Sequence, residues 1–260
     1  MKRPVSKIRR LSHLFTVALS TATLSIMAIA PVLANYVPPS DGPAPRASTP
    51  GGVRTGGCSA AATTGLIPLA PKSHIGQTVS TQPTFAWFSP EGDSYLTEFR
   101  VAEHRDDGGF EVIYKTEFDS DTKVLPSGIT AFSLSETDVQ LSPGTVYRWQ
   151  VVLVCNPNRP SESLVAHADI TVVDASTIDV TTVPDAVERS LRYAEASLWY
   201  DALREALTAD SANGQDIQIS LLEDLVAIED QADRAENEAM GEVPHGDRLR
   251  QVIAAISVTE

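Results

Sequence analysis

The feature that most constrains this chain is a change of hydrophobic period near residue 180. Before it, "TFAWF" (84–88), "EFRVAEH" (98–104), "FEVIYKTEF" (110–118), "AFSLS" (131–135), "YRWQVVLVC" (147–155) and "VAHADITVV" (165–173) are short and mostly rich in β-branched and aromatic residues. The turn signals "SPEGDS", "RDDGG", "LSPGT" and "NPNRPSES" separate them. Six or seven strands at this spacing, with no helix between them, predict an antiparallel β-sandwich over 58–176. After "DVTTVP", Val187, Leu191, Ala194, Leu198 and Ala202 recur at steps of three and four, with Leu203 and Leu207 alongside. That period predicts a helix with Pro184 in its first turn and Thr182 or Val183 at the cap, fading near "TADSANG". A second helix is expected from about Asp216, burying Leu221, Leu222, Leu225 and Ile228, and a short third one in "DRLRQVIAAISV", capped by Asp247. The expected fold class is therefore mainly β with α: a sandwich followed by a helical C-terminal region, 182–260, that packs on it.

The N-terminus reads differently. Lys2, Arg3, Lys7, Arg9 and Arg10 precede an uncharged run, Leu14 to Leu33, which ends in "VLAN". Positive, apolar and small-residue regions in that order predict an export signal, 1–34, cleaved near Ala34 to give a periplasmic or secreted protein. An uncleaved membrane anchor is the alternative, although the run is studded with Ser and Thr and interrupted by Pro31. No later stretch is long and apolar enough to span a bilayer. Residues 35–57, with Pro38, Pro39, Pro43, Pro45 and Pro50 among Gly, Ser and Thr, read as a disordered linker.

Removing the five cations of the signal takes the formal charge from −14 to −19. Such a surface repels nucleic acid and anionic lipid, so the expected partner is a protein or other envelope component and not nucleic acid. In an exported chain the two cysteines, Cys58 and Cys155, are best read as one disulfide tying the linker's end to an apolar strand, with two free thiols as the alternative. Two cysteines without a nearby histidine do not make a zinc site.

In "LSPGTVYRWQVVLV", Tyr147 enters an alternating strand just after Pro143-Gly144. This resembles the corner of fibronectin type III and related immunoglobulin-like domains, in which the tyrosine hydroxyl bonds to backbone upstream. Trp87 in "PTFAWFSP" is similar to the early core tryptophan of those domains. The order of Arg54, Gly56, Gly57 and Cys58, then the Tyr147/Trp149/Cys155 strand, then "AEASLWYDALREAL" resembles an exported, mainly cyanobacterial family of unknown function, over about residues 52–230. The resemblance implies architecture and export. It brings no catalytic residue with it.

No nucleophile elbow, zinc-helix motif, phosphate loop or dinucleotide fingerprint is present. His74, His104, His167 and His245 are scattered, without a partner at metal-ligand spacing. Glu117, Asp119 and Asp121 alternate, yet lack the glycine turn and distal glutamate of a calcium loop. No catalytic residue, metal ligand or cofactor is expected. Trp199 falls beside the apolar stripe and should pack on the sandwich. Tyr200 lies a helical step off that stripe, which makes it the one residue-level candidate for anchoring a partner. The expectation is an exported, non-enzymatic binding or assembly module of the cell envelope, the alternative being an envelope hydrolase acting on glycans through paired carboxylates.

Overall fold

The computed structural model describes residues 34–40, 45, 65–89, 96–118, 128–154, 156, 158–159, 161, 163–209, 212–236 and 243–258. Among the described residues there are eight strands. They are β1 (Ile67–Pro68), β2 (Gly76–Thr78), β3 (Thr84–Ser89), β4 (Leu96–His104), β5 (Phe110–Phe118), β6 (Gly128–Ser133), β7 (Val146–Val154) and β8 (Leu164–Val172). All six strands expected from the sequence are present, and β1 and β2 are additional. β1 and β2 are only two and three residues long, too short to show an alternation.

Two sheets result: three strands in the order β1-β3-β6, and five in the order β2-β8-β7-β4-β5. The larger sheet is mixed, which corrects the all-antiparallel expectation: β2 runs parallel to β8, with Gly76 opposite Ile170 and Thr78 opposite Val172. The "RDDGG" turn closes the β4–β5 hairpin. Asp107 Oδ1 accepts from Gly109 N at 2.8 Å, and Arg105 N donates to Gly109 O at 2.9 Å. Side-chain capture of backbone two residues on is the reason aspartate suits that position.

Period-two burial explains how the sheets meet. Along β7, Tyr147, Trp149, Val151 and Leu153 are buried on one side, while Gln150, Val152 and Val154 are only half-buried on the other. Phe85 of β3 lies 5.2 Å from Phe99 of β4 and 5.4 Å from Trp149 of β7, and Phe99 lies 4.9 Å from Phe132 of β6. Rings from both sheets therefore interdigitate in one aromatic layer, in tilted arrangements that favour edge contacts. Trp87 sits in it, fully buried.

Four helices follow: α1 (Ala186–Glu195), α2 (Trp199–Thr208), α3 (Ala212–Glu236) and α4 (His245–Ser257). The expected first helix is two. The cap of α1 is Asp185, not Thr182 or Val183: its carboxylate accepts from Glu188 N at 2.8 Å. Pro244, not Asp247, precedes α4, and Asp247 lies in the first turn. The helices hold the chain on both sides of β1 through its backbone. Trp199 Nε1 donates to Leu69 O at 2.9 Å, Arg248 to Leu66 O at 2.6 Å, and His245 Nε2 to Ala70 O at 3.0 Å. A continuous apolar cluster runs from Phe85 and Trp149 through Trp199 and Leu203 to Leu221, Leu225 and Leu249. No helix among the described residues is long and apolar enough to cross a membrane.

The stretch 35–57, expected to be disordered from its start, begins with an anchored segment. Tyr36 is buried and its N–H donates to Asp224 Oδ2 at 2.8 Å. Proline-rich composition concealed one large aromatic residue that the helices enclose.

Candidate functional site

The outward side of the larger sheet carries its own chemistry. Register places Ala102, Arg148 and Asp169 in one row across β4, β7 and β8. Arg148 Nε donates to Asp169 Oδ1 at 2.7 Å and its terminal nitrogen to Oδ2 at 2.9 Å, a bidentate pair with both side chains buried. His104 Nε2 lies 3.3 Å from the same Oδ1. Phe110, from the hairpin, covers the group: Arg148 Cζ sits 4.9 Å above its ring, and His104 meets it edge-on at 4.7 Å. The guanidinium is thus fixed by two hydrogen bonds and an aromatic face together. Beside this, Phe110 is 46% exposed and Val112 53% exposed, and Val165 stands out from β8. A charged row follows, in which Lys115 bridges Glu98 at 2.6 Å and Glu117 at 3.1 Å, and Arg100 also pairs with Glu98. The helices pack on β2, β3 and β6 instead. The outward face is therefore a rigid plate with exposed apolar side chains over a preorganised ion pair.

A second polar cluster lies where the segment at 34–37 meets the helices. Ser73 Oγ donates to Glu229 Oε1 at 2.9 Å, and Lys72 N and Ser73 N donate to the same oxygen at 2.9 and 3.1 Å. His74 Nδ1 lies 3.0 Å from Ser73 Oγ, and His74 Nε2 lies 2.8 Å from Tyr36 Oη. Burial holds the His74 pKa down at about 4, so the ring is neutral, and burial raises the pKa of the Glu229 carboxyl. One direction of proton donation satisfies every group. Tyr36 O–H donates to Nε2, Nδ1–H donates to Ser73, and Ser73 donates to Glu229. Ser73 hands its proton to a carboxylate and receives one from histidine, the reverse of the flow that activates a serine nucleophile. The cluster joins segments; it does not prepare an attack. Among the described residues no three His, Cys, Asp or Glu side chains converge as metal ligands.

Two sequence-derived residues sit at defined positions. Tyr147 is buried, and its Oη accepts from Ser142 N at 3.0 Å, across the turn in which Gly144 takes φ +79°. Tyr200 is the correction. It is 1% exposed, its Oη accepts from Trp149 Nε1 at 2.8 Å, and its O–H donates to Asp169 O at 3.2 Å. A ring enclosed by the sheets cannot anchor a partner. The chain breaks between α1 and α2 at Ala196–Leu198, so Tyr200 starts a new helix and does not take the face a continuous helix would have given it. Cys58 and Cys155 lie outside the described residues, as do Asp119 and Asp121.

Sequence reasoning missed Tyr36, His74, Glu229, Arg148 and Asp169. Arg148 and Asp169 share the outward parity of their strands, a signal visible only once register is known. Tyr36 and Glu229 are 193 positions apart, with no local pattern linking them.

One protein-family model, a Domain of Unknown Function (DUF928), matches residues 49–230. The match takes in both sheets, α1, α2 and most of α3, and leaves out α4 and the anchored segment at 34–37. No curated protein matches the chain.

Proposed function

Because the chain belongs to the DUF928 family, a family without an assigned activity, we propose, from the sheet geometry and the N-terminal sequence pattern, an exported, non-enzymatic binding or assembly module of the cell envelope. The observation that carries this reading is the outward face of the larger sheet. Exposed Phe110 lies over an Arg148–Asp169 pair whose shape is fixed before any partner arrives, with exposed Val112 on the same face. Aromatic and arginine side chains on a rigid support are the residues that dominate protein interfaces. The facing sheets, joined by aromatic rings, and the hydroxyl of Tyr147 on backbone five residues upstream support a fibronectin type III-like sandwich as the scaffold.

Export supplies the compartment in this reading. Cleavage after Ala34 would give up the Ala34 N–H bond to Ser220 and leave Tyr36, bonded to Asp224, as the anchor of the new terminus. The hydrolase alternative draws on the buried carboxylates whose pKa burial raises, Asp201 and Glu229. Each is engaged by backbone N–H groups, Val79 for Asp201 and Lys72 and Ser73 for Glu229, which favours a structural role.

The test is capture of partners from the native envelope by the tagged protein, compared with a Phe110→Asp, Val112→Asp double variant. A protein recovered by the native chain and lost by the folded variant supports the module. Equal recovery, or glycan-cleaving activity retained by both, defeats it.

A further inference from the structure

The segment at 34–37 enters the fold along one face of α3. Ala34 N donates to Ser220 Oγ at 2.7 Å, and Tyr36 N donates to Asp224 Oδ2 at 2.8 Å. Tyr36 also has anchors that owe nothing to residue 34. Its buried ring meets Trp199 edge-on at 5.0 Å, and its hydroxyl reaches His74 Nε2 at 2.8 Å. The next amide, Val37 N, donates to Ala194 O at 3.2 Å. A chain that began at Asn35 would therefore keep Tyr36 in place and hold its terminus beside α3.

The carboxylate at that position lacks a cation. Asp224 is half-buried, and burial together with the charge of Glu223 raises its pKa. Among the described residues neither Asp224 nor Glu223 forms an ion pair, and the donor to Asp224 is the uncharged Tyr36 amide. The neighbouring elements bring no positive charge to the segment. His74 is neutral, Glu229 sets its negative charge against Tyr36, and Glu195 ends α1 beside Ala194.

Hydrolysis of the Ala34–Asn35 amide supplies the missing charge. Water adds across the bond: the carbonyl carbon leaves as the Ala34 carboxylate, and the Asn35 nitrogen stays as a primary amine, protonated below about pH 8. One residue of extended chain spans at most about 3.6 Å, so this nitrogen lies within about 6 Å of Asp224 Oδ2. It is as near to Ser220 Oγ, on a serine 6% exposed whose donor departs with Ala34. An ammonium has three donors and, with no residue before it, can turn toward either oxygen. Its bond to a carboxylate is about twice as strong as that of a neutral amide.

We propose that Ser220 and Asp224 on α3 are a receptor for the chain's own processed amino terminus, so that cleavage after Ala34 exchanges a neutral contact for a charged one and fastens the mature segment. The inference rests on the export reading above and uses neither Phe110 nor Val112. An amine paired in this way has a higher pKa folded than unfolded. The stability it adds is complete below about pH 7.7 and is lost as pH rises through the folded value.

The mature chain, Asn35 to Glu260, is prepared with a free α-amine and, separately, with an Nα-acetyl group, which restores the amide of the uncut chain without the charge. At pH 7 the free-amine form should have the higher urea midpoint, and the difference should vanish above about pH 10. Acylation of the α-amine against pH, followed on the N-terminal peptide by mass spectrometry, should give a pKa at least about half a unit above the ordinary 7.7–8. Asp224→Asn should return it to that range. Equal midpoints at pH 7, or an α-amine of ordinary pKa in the folded chain, overturns the receptor. If Asp224→Asn does not fold, Glu223→Gln, at an exposed position, should lower the amine's pKa part of the way, and an unchanged value overturns the assignment. The prepared terminus makes these results independent of processing in the cell. N-terminal sequencing of the envelope protein tests the processing itself: a terminus other than Asn35 defeats the cleavage and the receptor with it, whereas an Asn35 terminus with an unshifted amine defeats the receptor alone.

Discussion

A single hydroxyl shows how the turn before β7 is fixed. Ser142 N–H has Tyr147 Oη as its acceptor, and the ring that carries this oxygen is buried. Tyr147→Phe keeps the ring's packing and leaves the donor without its partner. Loss of about 1–3 kcal/mol is expected, the range for a buried group left unsatisfied. Urea midpoints of the two proteins measure it, and an unchanged midpoint would mean that water replaces the bond at no cost. Tyr147 was legible in the sequence because a tyrosine three residues after a Pro-Gly turn, at the head of an alternating strand, has few other uses. Tyr200 was not. Its orientation depends on where one helix ends, and the residue that ends it is a serine.

That ending belongs to the element scale. Ser197 has φ +66°, the left-handed conformation that ordinarily calls for glycine. Around it, Ser197 N donates to Ala194 O at 3.1 Å and Leu198 N to Tyr193 O at 2.9 Å, the paired bonds of a Schellman stop. α1 therefore ends and α2 begins without any Gly or Pro in "AEASLWYD", so the sequence presents a continuous apolar stripe with no sign of the break. The strands were legible because their period is short and their turns carry Gly, Pro and Asp. β1 and β2 were not, because two or three residues show no period. Replacing Ser197 by Gly removes the Cβ strain of the left-handed conformation, and stability should rise by about 0.5–1 kcal/mol, net of glycine's greater freedom when unfolded. Thermal unfolding checks the sign, and a lower midpoint would show that the serine side chain contributes more than its strain. The opposite substitution is expected at β2. A Cβ on Gly76 would lie 2.6 Å from Tyr200 Cε2, and that ring is held by Trp149 and Asp169. Gly76→Ala should therefore destabilise by about 1–3 kcal/mol, as overpacking does. The pair Gly76→Ala, Tyr200→Leu should recover part of the loss if the clash is the cause.

At the scale of the whole molecule, neutral histidines are buried on β8 (His167) and where the helices meet the chain around Ala70 and Ser73 (His245, His74). Burial lowers the pKa of His74 and of His167 to about 4 and that of His245 to about 3, from an ordinary value of 6.5. Lys72 and Arg248 push His167 and His245 further in the same direction. A histidine whose folded pKa lies below its unfolded one gives stability that is complete above about pH 6.5. That stability is lost as pH falls toward the folded value, because the unfolded chain takes up the proton first. Within that window each contributes a slope of about 1.4 kcal/mol per pH unit. Asp201, Asp224 and Glu229, whose pKa values burial raises, act with the opposite sign and soften the fall. Between pH 6.5 and 5 the histidines lower the urea midpoint and the three carboxyls oppose them, so a substitution is needed to read one contribution. His245→Gln isolates one contribution: a glutamine nitrogen can still donate to Ala70 O, the bond His245 now makes, but it does not titrate. The variant's midpoint should fall less steeply between pH 6.5 and 4, by about the slope of one proton. Parallel profiles for the two proteins would show that His245 takes up its proton in the folded state, and that acid loosens the protein elsewhere.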